Sequence, residues 1–212
     1  LYTLIKNIPS KKEHFLYLNQ YNFDGKLLMT TSVKSADNKD LISGKIMNAT
    51  NNTQILIGTY STLGKKRNKP IFYFSAGNVS AEGLYFSQFI NNKQSYIKFY
   101  PFSRFSTFWE SVNANKLGIT DKKLKKLRDK PLSYNLITHD IIQDGDNYIM
   151  VAEAFYLKYH TEYRWVYDAN GRSRMESESV FDGFQYTHAL VACFDNNGNM
   201  LWDHNFPSPP GT

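Results

Sequence analysis

Along most of this chain apolar and polar positions alternate in short runs, and polar clusters separate the runs. Residues 15–33 read FLYLNQYNFDGKLLMTTSV, residues 84–102 LYFSQFINNKQSYIKFYPF, and residues 189–207 ALVACFDNNGNMLWDHNFP. Each stretch is an alternating segment, a polar turn and a second alternating segment. The turns are Asp24-Gly25, Asn91-Asn92-Lys93 and Asp195-Asn196-Asn197-Gly198. Period-two alternation places apolar side chains on one face of a strand. Asp-Gly and Asn-Gly supply the positive φ angles that tight hairpins require. Each stretch therefore predicts a β-hairpin. Two more precede the second and third: residues 41–60, turning at Asn51-Asn52, and residues 135–156, turning at Asp144-Gly145.

The hairpins group into repeated units. Two units have four strands in consecutive order, and the N-terminal unit shows only its last two strands. Four-stranded meanders repeated along a chain are the signature of propeller blades. Equivalent turns lie 67 residues apart between Gly25 and Asn92, and 106 apart between Asn92 and Gly198. Setting aside insertions at 62–81, 103–132 and 159–183 leaves 47 and 51 residues, near the length of about 40–50 that a blade takes. The expected fold is all-β: antiparallel four-stranded blades of a partial β-propeller with a small helical insertion at 103–132. A β-sandwich carrying that helical insertion is the alternative. Residues 1–212 form one β domain on this reading, part of a larger propeller. The start at Leu1 is expected to reflect processing or trimming.

The string VACFDNNGNMLWD (191–203) resembles the repeat motif of bacterial β-propeller proteins, a hydrophobic strand followed by Phe/Tyr-Asp, a turn with Gly-Asn, and Trp. YNFDGKLL and QFINNKQSYI look like degenerate copies, the second without the Asp and the Gly. Such proteins are common among Bacteroidetes and often exported. The resemblance implies a propeller fold and an exported location, in the periplasm, at the outer-membrane surface or outside the cell. It brings no catalytic residues.

Composition narrows the class. A chain 42% hydrophobic and 16% aromatic buries a core and is not disordered. No apolar run is long enough for a membrane-spanning helix, and a single cysteine excludes an internal disulfide framework. The net charge of +6 conceals an asymmetry: residues 1–102 carry +8, residues 103–131 carry +5, and residues 132–212 carry −7. A basic front and an acidic back can face each other or orient a partner.

Two insertions hold the candidate binding residues. In 103–132, Phe105, Phe108, Trp109 and Val112 recur at helical spacing, and Thr120 can cap a second helix over 121–130. Lys122, Lys123, Lys126, Arg128 and Lys130 surround Leu124 and Leu127 there, a basic face for an acidic partner or peripheral contact with anionic lipid. In 159–183, His160, Tyr163, Arg164 and Trp165 set aromatic and polar groups side by side, a candidate site for a glycan or peptide. A long strand extension turning at Asp168-Ala169-Asn170-Gly171 explains the same residues structurally. The basic run Lys65-Lys66-Arg67 has no nucleic-acid module beside it, and nucleic acid is not an expected partner.

Nucleotide-binding, metalloprotease and nucleophile-elbow strings are absent from the sequence. No catalytic residue, cofactor or metal is expected. The function that fits is a non-enzymatic binding module with a protein or glycan partner. The alternative is a carbohydrate-active hydrolase fragment using acids of the C-terminal half. Glu153, Asp182, Asp140 and Glu162 are its candidates, with Glu153 first because a carboxylate inside VAEAF is unusual. Cys193 reads as an apolar filler.

Overall fold

A computed structural model describes residues 1–9, 13–35, 38–50, 52–62, 80–105, 133–167 and 171–207. Three antiparallel sheets follow one another along the chain. Sheet 1 joins β1 (Tyr2–Asn7), β2 (Phe15–Tyr21) and β3 (Leu27–Val33) in that order. Sheet 2 joins β4 (Lys39–Asn48), β5 (Thr53–Thr62), β6 (Gly83–Ile90) and β7 (Lys93–Pro101). In sheet 3, β8 (Asn135–Thr138) and β9 (Ile142–Asp144) pair the same strand, β10 (Asn147–Tyr167). β11 (Ser173–Phe194) and β12 (Met200–Pro207) complete that sheet. The described residues are thus all-β, in antiparallel meanders none of which closes on itself.

All five expected hairpins form. The turns use the residues that tolerate φ > 0. Among the described non-glycine residues only Asn38, Asn52, Asn91 and Asn92 adopt it, so the asparagines serve as turn formers. The N-terminal unit has three strands, not two: β1 pairs β2 from Tyr2↔Gln20 to Asn7↔Phe15. Of the helical insertion expected over 103–132, residues 106–132 lie outside the described residues. The part described is a single 3-10 turn, Phe102–Arg104, ending at the buried Phe105.

Sheet 2 is the middle layer. β5 and β6 are buried nearly end to end, which explains why TQILIGTY and GLYFSQF lack a polar face. Ile55, Ile57, Leu84 and Phe86 pack toward Tyr148, Met150, Leu190, Ala192 and Phe194 of sheet 3. On the other side Leu56, Tyr60, Tyr85 and Phe89 pack toward Leu16, Leu18 and Val33 of sheet 1.

The two sheet-to-sheet joints share one design. The last strand of each sheet is met by the final hairpin turn of the next. At the end of β3, the Lys34 amide donates to Gln94 Oε1 at 2.7 Å, the Gln94 amide donates to the Lys34 carbonyl at 3.0 Å, and the Thr31 hydroxyl donates to the Asn92 carbonyl. Along β7, Tyr96, Lys98 and Tyr100 donate to the carbonyls of Asn196, Asn197 and Gly198, and Lys98 Nζ also reaches Asn199 Oδ1 at 2.7 Å. Asp195 fixes that turn by accepting the Asn197 and Asn199 amides.

Phe102, Phe105, Tyr134, Leu136, His188 and Leu190 line a small apolar cavity. His188 stacks edge-on against Tyr134 with ring centroids 4.9 Å apart. Desolvation there lowers its pKa below the usual 6.5. The unfolded chain therefore takes up this proton first as the pH falls. The stability His188 contributes is complete above pH 6.5 and is lost as the pH drops through the lower folded pKa. In urea melts between about pH 7.5 and about pH 5, the wild type should lose more stability than His188→Leu. Identical pH slopes would refute the assignment.

Candidate functional site

β10 and β11 run far beyond the other strands of their sheet. Their pairing continues from Phe155↔Tyr186 to Tyr167↔Ser173, an arm of roughly 40 Å at 3.3 Å per residue. The region expected as an insertion at 159–183 is this strand extension. Directly opposed residues of an antiparallel pair share a face, so the register sorts the arm's side chains.

One face carries Leu157, Tyr159, Thr161, Tyr163, Trp165 and Tyr167 from β10. Phe184, Phe181, Ser179, Ser177, Met175 and Ser173 lie opposite them on β11. None of these is charged. Near the base the rings contact one another: Phe155 with Phe184, Phe184 with Phe181, and Phe181 with Tyr159, at 5.4–5.5 Å between centroids. Farther out Tyr163, Trp165 and Tyr167 are 69%, 61% and 70% exposed. Aromatic rings left in water at that level carry a large unrealised burial energy.

The other face carries Lys158, His160, Glu162, Arg164 and Val166, with Glu178, Glu176 and Arg174 opposite. Its charges are mostly paired. His160 lies between Asp182, on Nδ1, and Glu162, on Nε2. Hydrogen bonds to Glu162 and then Asp182 raise its pKa. Glu176 takes Arg174 at 2.6 Å and has Arg164 at 3.8 Å.

This geometry divides the candidate quartet. Tyr163 and Trp165 belong to the uncharged face, whereas His160 and Arg164 belong to the charged face, so no single pocket gathers all four. The basic candidates Lys122, Lys123, Lys126, Arg128 and Lys130 lie outside the described residues.

The carboxylates proposed for hydrolysis do not converge. Glu153 lies at the base of the arm, 43% exposed, beside His139 at 3.2 Å. Asp182 lies five to six strand positions away, roughly 18 Å, against the His160 face. Glycosidase carboxylates stand about 5–9.5 Å apart across one cleft. Asp140 is exposed on the surface with Lys45 at 2.9 Å, and Glu162 is spent on His160. Cys193 is buried, and desolvation raises its thiol pKa, the opposite of what a nucleophile needs. Among the described residues no group of three His, Cys, Asp or Glu is placed to hold a metal ion. None of the described helical segments is long and apolar enough to cross a membrane.

Sequence reasoning missed one cluster. Asp40, at the start of β4, is fully buried and takes Lys6 Nζ at 2.7 Å on one oxygen and His14 Nδ1 at 2.8 Å on the other. No local pattern marks it, because its partners lie 34 and 26 positions upstream. It ties sheet 1 to sheet 2. No protein-family model matches the chain, and no curated protein matches it.

Proposed function

We propose that the chain is a run of three consecutive β-propeller blades serving as a non-enzymatic binding module of an exported or cell-envelope protein, with a protein partner seated on the β10–β11 arm. The observation that carries the binding role is the uncharged aromatic face at the outer half of that arm. Exposed Tyr and Trp interleaved with Ser and Thr give rigid contact area at low entropic cost, with adaptable hydroxyls between. Trp and Tyr are also the residues that concentrate binding energy at interfaces. The blade reading is supported by the repeated joint, in which each final strand is met by the next sheet's turn. A two-layer sandwich has no reason to repeat that contact.

The test is a triple variant, Tyr163→Ser, Trp165→Ser and Tyr167→Ser. These side chains are mostly exposed, so the melting temperature should stay within a few degrees of the wild type. Recovery of partner proteins from an envelope fraction by crosslinking should fall at least tenfold, in line with the loss of about 1.4 kcal/mol or more from hot-spot rings. A recovered set unchanged in identity and amount would sink the reading.

A further inference from the structure

The pairing of β12 with β11 ends at His188↔Pro207, and among the described residues no strand pairs the outer edge of β11 from Ser173 to Thr187. The two register shifts of the arm fall at Asp182 and Thr187, so Ser173–Phe181 is regular strand without a bulge. Its side chains stand in water, Met175 at 56% and Arg174 at 74% exposure. A regular, unpaired strand edge is a template for another strand. A two-stranded ribbon is also marginal by itself in water, and further strands stabilise it.

The charges along this edge select the strand that fits it. Residues 172–178 read RSRMESE. They are antisymmetric about Met175: Arg172 mirrors Glu178, Ser173 mirrors Ser177, and Arg174 mirrors Glu176. Two such strands laid antiparallel, with Met175 opposite Met175, set every cation against a carboxylate. Centring the pair on Arg174 or Glu176 sets that charge against its own copy. We infer that a second copy of this chain pairs with β11 edge to edge, about a two-fold axis at Met175, so that two arms form one four-stranded antiparallel sheet. Arg174, Glu176 and Glu178 share the charged face of the arm, and Ser173, Met175 and Ser177 the uncharged one, so both faces continue across the axis. On the uncharged face Trp165 and Met175 of one copy run on into Met175 and Trp165 of the other. On the charged face the pairing relieves a conflict. Glu162 and Glu178 stand directly opposite each other within the arm, which is unfavourable for like charges, and Arg172 of the second copy comes to lie beside Glu178. The aromatic rings keep facing outward, so the pairing neither needs nor displaces the envelope partner proposed above. The contact is isologous and closes on itself. Seven residues span roughly 23 Å, and with a sheet thickness of about 10 Å the contact removes on the order of 500 Å² from the two copies together. That is the size of a weak, reversible association.

Sedimentation across a concentration series should show exchange between the 24.6 kDa chain and twice that mass, with a midpoint on the order of tens of micromolar. Arg172→Glu and Glu178→Arg each set like charges opposite at two symmetric positions, and each should weaken self-association about tenfold or more. Mixed in equal amounts, the two variants should associate with each other, because each supplies the charges the other lacks. Both residues are exposed, so the strand signal in circular dichroism should be retained. Met175→Cys should form a disulfide between copies under mild oxidation, since directly opposed residues of an antiparallel pair have Cα atoms about 4.5–5.5 Å apart. Cys193 is buried and does not compete. Ser179→Cys lies eight positions from its own copy in this register, roughly 26 Å, and should not crosslink. Single-chain mass up to about 500 μM, well above that midpoint, overturns the inference. So does a dimer insensitive to both charge reversals, a mixture of the two variants that stays monomeric, or crosslinking at Ser179 as efficient as at Met175.

Discussion

Replacing Asp40 by alanine is expected to lower the free energy of unfolding by about 3–5 kcal/mol, the usual consequence of removing one partner from a buried ion pair. The Asp40 side chain has no exposed surface, and those of Lys6 and His14 are 17% and 6% exposed. Lys6 comes from β1 and His14 from just before β2, so a carboxylate on sheet 2 holds two separate segments of sheet 1. Without it, the Lys6 ammonium and the His14 imidazole lose an acceptor that water replaces only if the sheets part. A domain's whole stability is about 5–15 kcal/mol, so the loss is a large fraction of the total. Urea denaturation followed by aromatic fluorescence measures it, and amide exchange should show β1 and β2 opening first. Asp40→Leu combined with Lys6→Met should recover part of the loss, because an apolar pair of similar volume avoids the desolvation cost. A single-variant loss below about 1 kcal/mol would mean that the pair behaves as a surface contact and does not clamp the sheets.

That clamp also explains where sequence reasoning stopped. The hairpins were legible because each signal is local: alternation on either side and Asp-Gly or Asn-Asn between. β1 was not legible, because its inward positions are Tyr2, Leu4 and Lys6, and a lysine on the buried side breaks the alternation. Only Asp40, distant in sequence, makes that lysine acceptable. The arm fails differently. Its alternation of Tyr159, Tyr163, Trp165 and Tyr167 with Lys158, His160, Glu162 and Arg164 is as regular as that of any strand here. Reading His160, Tyr163, Arg164 and Trp165 as one cluster took closeness in sequence for convergence, although neighbours along a strand point to opposite faces. Which sheet covers which is a property of three-dimensional packing, and no string of residues in β5 or β6 states it.

Gly58→Ala is expected to be the most damaging glycine-to-alanine change among the described residues. Gly58 lies in the middle of β5, opposite Gly44 of β4, next to a register shift between Leu41 and Ser43. A Cβ built on Gly58 falls 2.0 Å from the Ser43 carbonyl oxygen, 2.7 Å from Gly44 Cα and 2.7 Å from the Tyr85 hydroxyl. The first two are backbone atoms of the adjacent strand and cannot swing aside as a side chain does. Tyr85 is fully buried and donates its hydroxyl to that same Ser43 carbonyl at 3.1 Å, so the crossing ring is anchored too. Relief requires β4 to move off β5, which disturbs the sheet packed on both faces. Overpacking usually costs about 1–3 kcal/mol, and a clash with backbone in the central layer should reach or exceed the upper end. Gly58→Ala should therefore accumulate in the insoluble fraction, or melt about 10 °C or more below the wild type. Two comparisons isolate the cause. Gly25→Ala meets no atom within 4 Å and bears only the strain of its φ of +79°, so it should cost about 1 kcal/mol. Gly58→Ala with Tyr85→Phe removes the hydroxyl contact but leaves the 2.0 Å backbone clash, so it should stay close to the single variant. Full recovery in that double variant would place the constraint on the tyrosine and not on the strand pair.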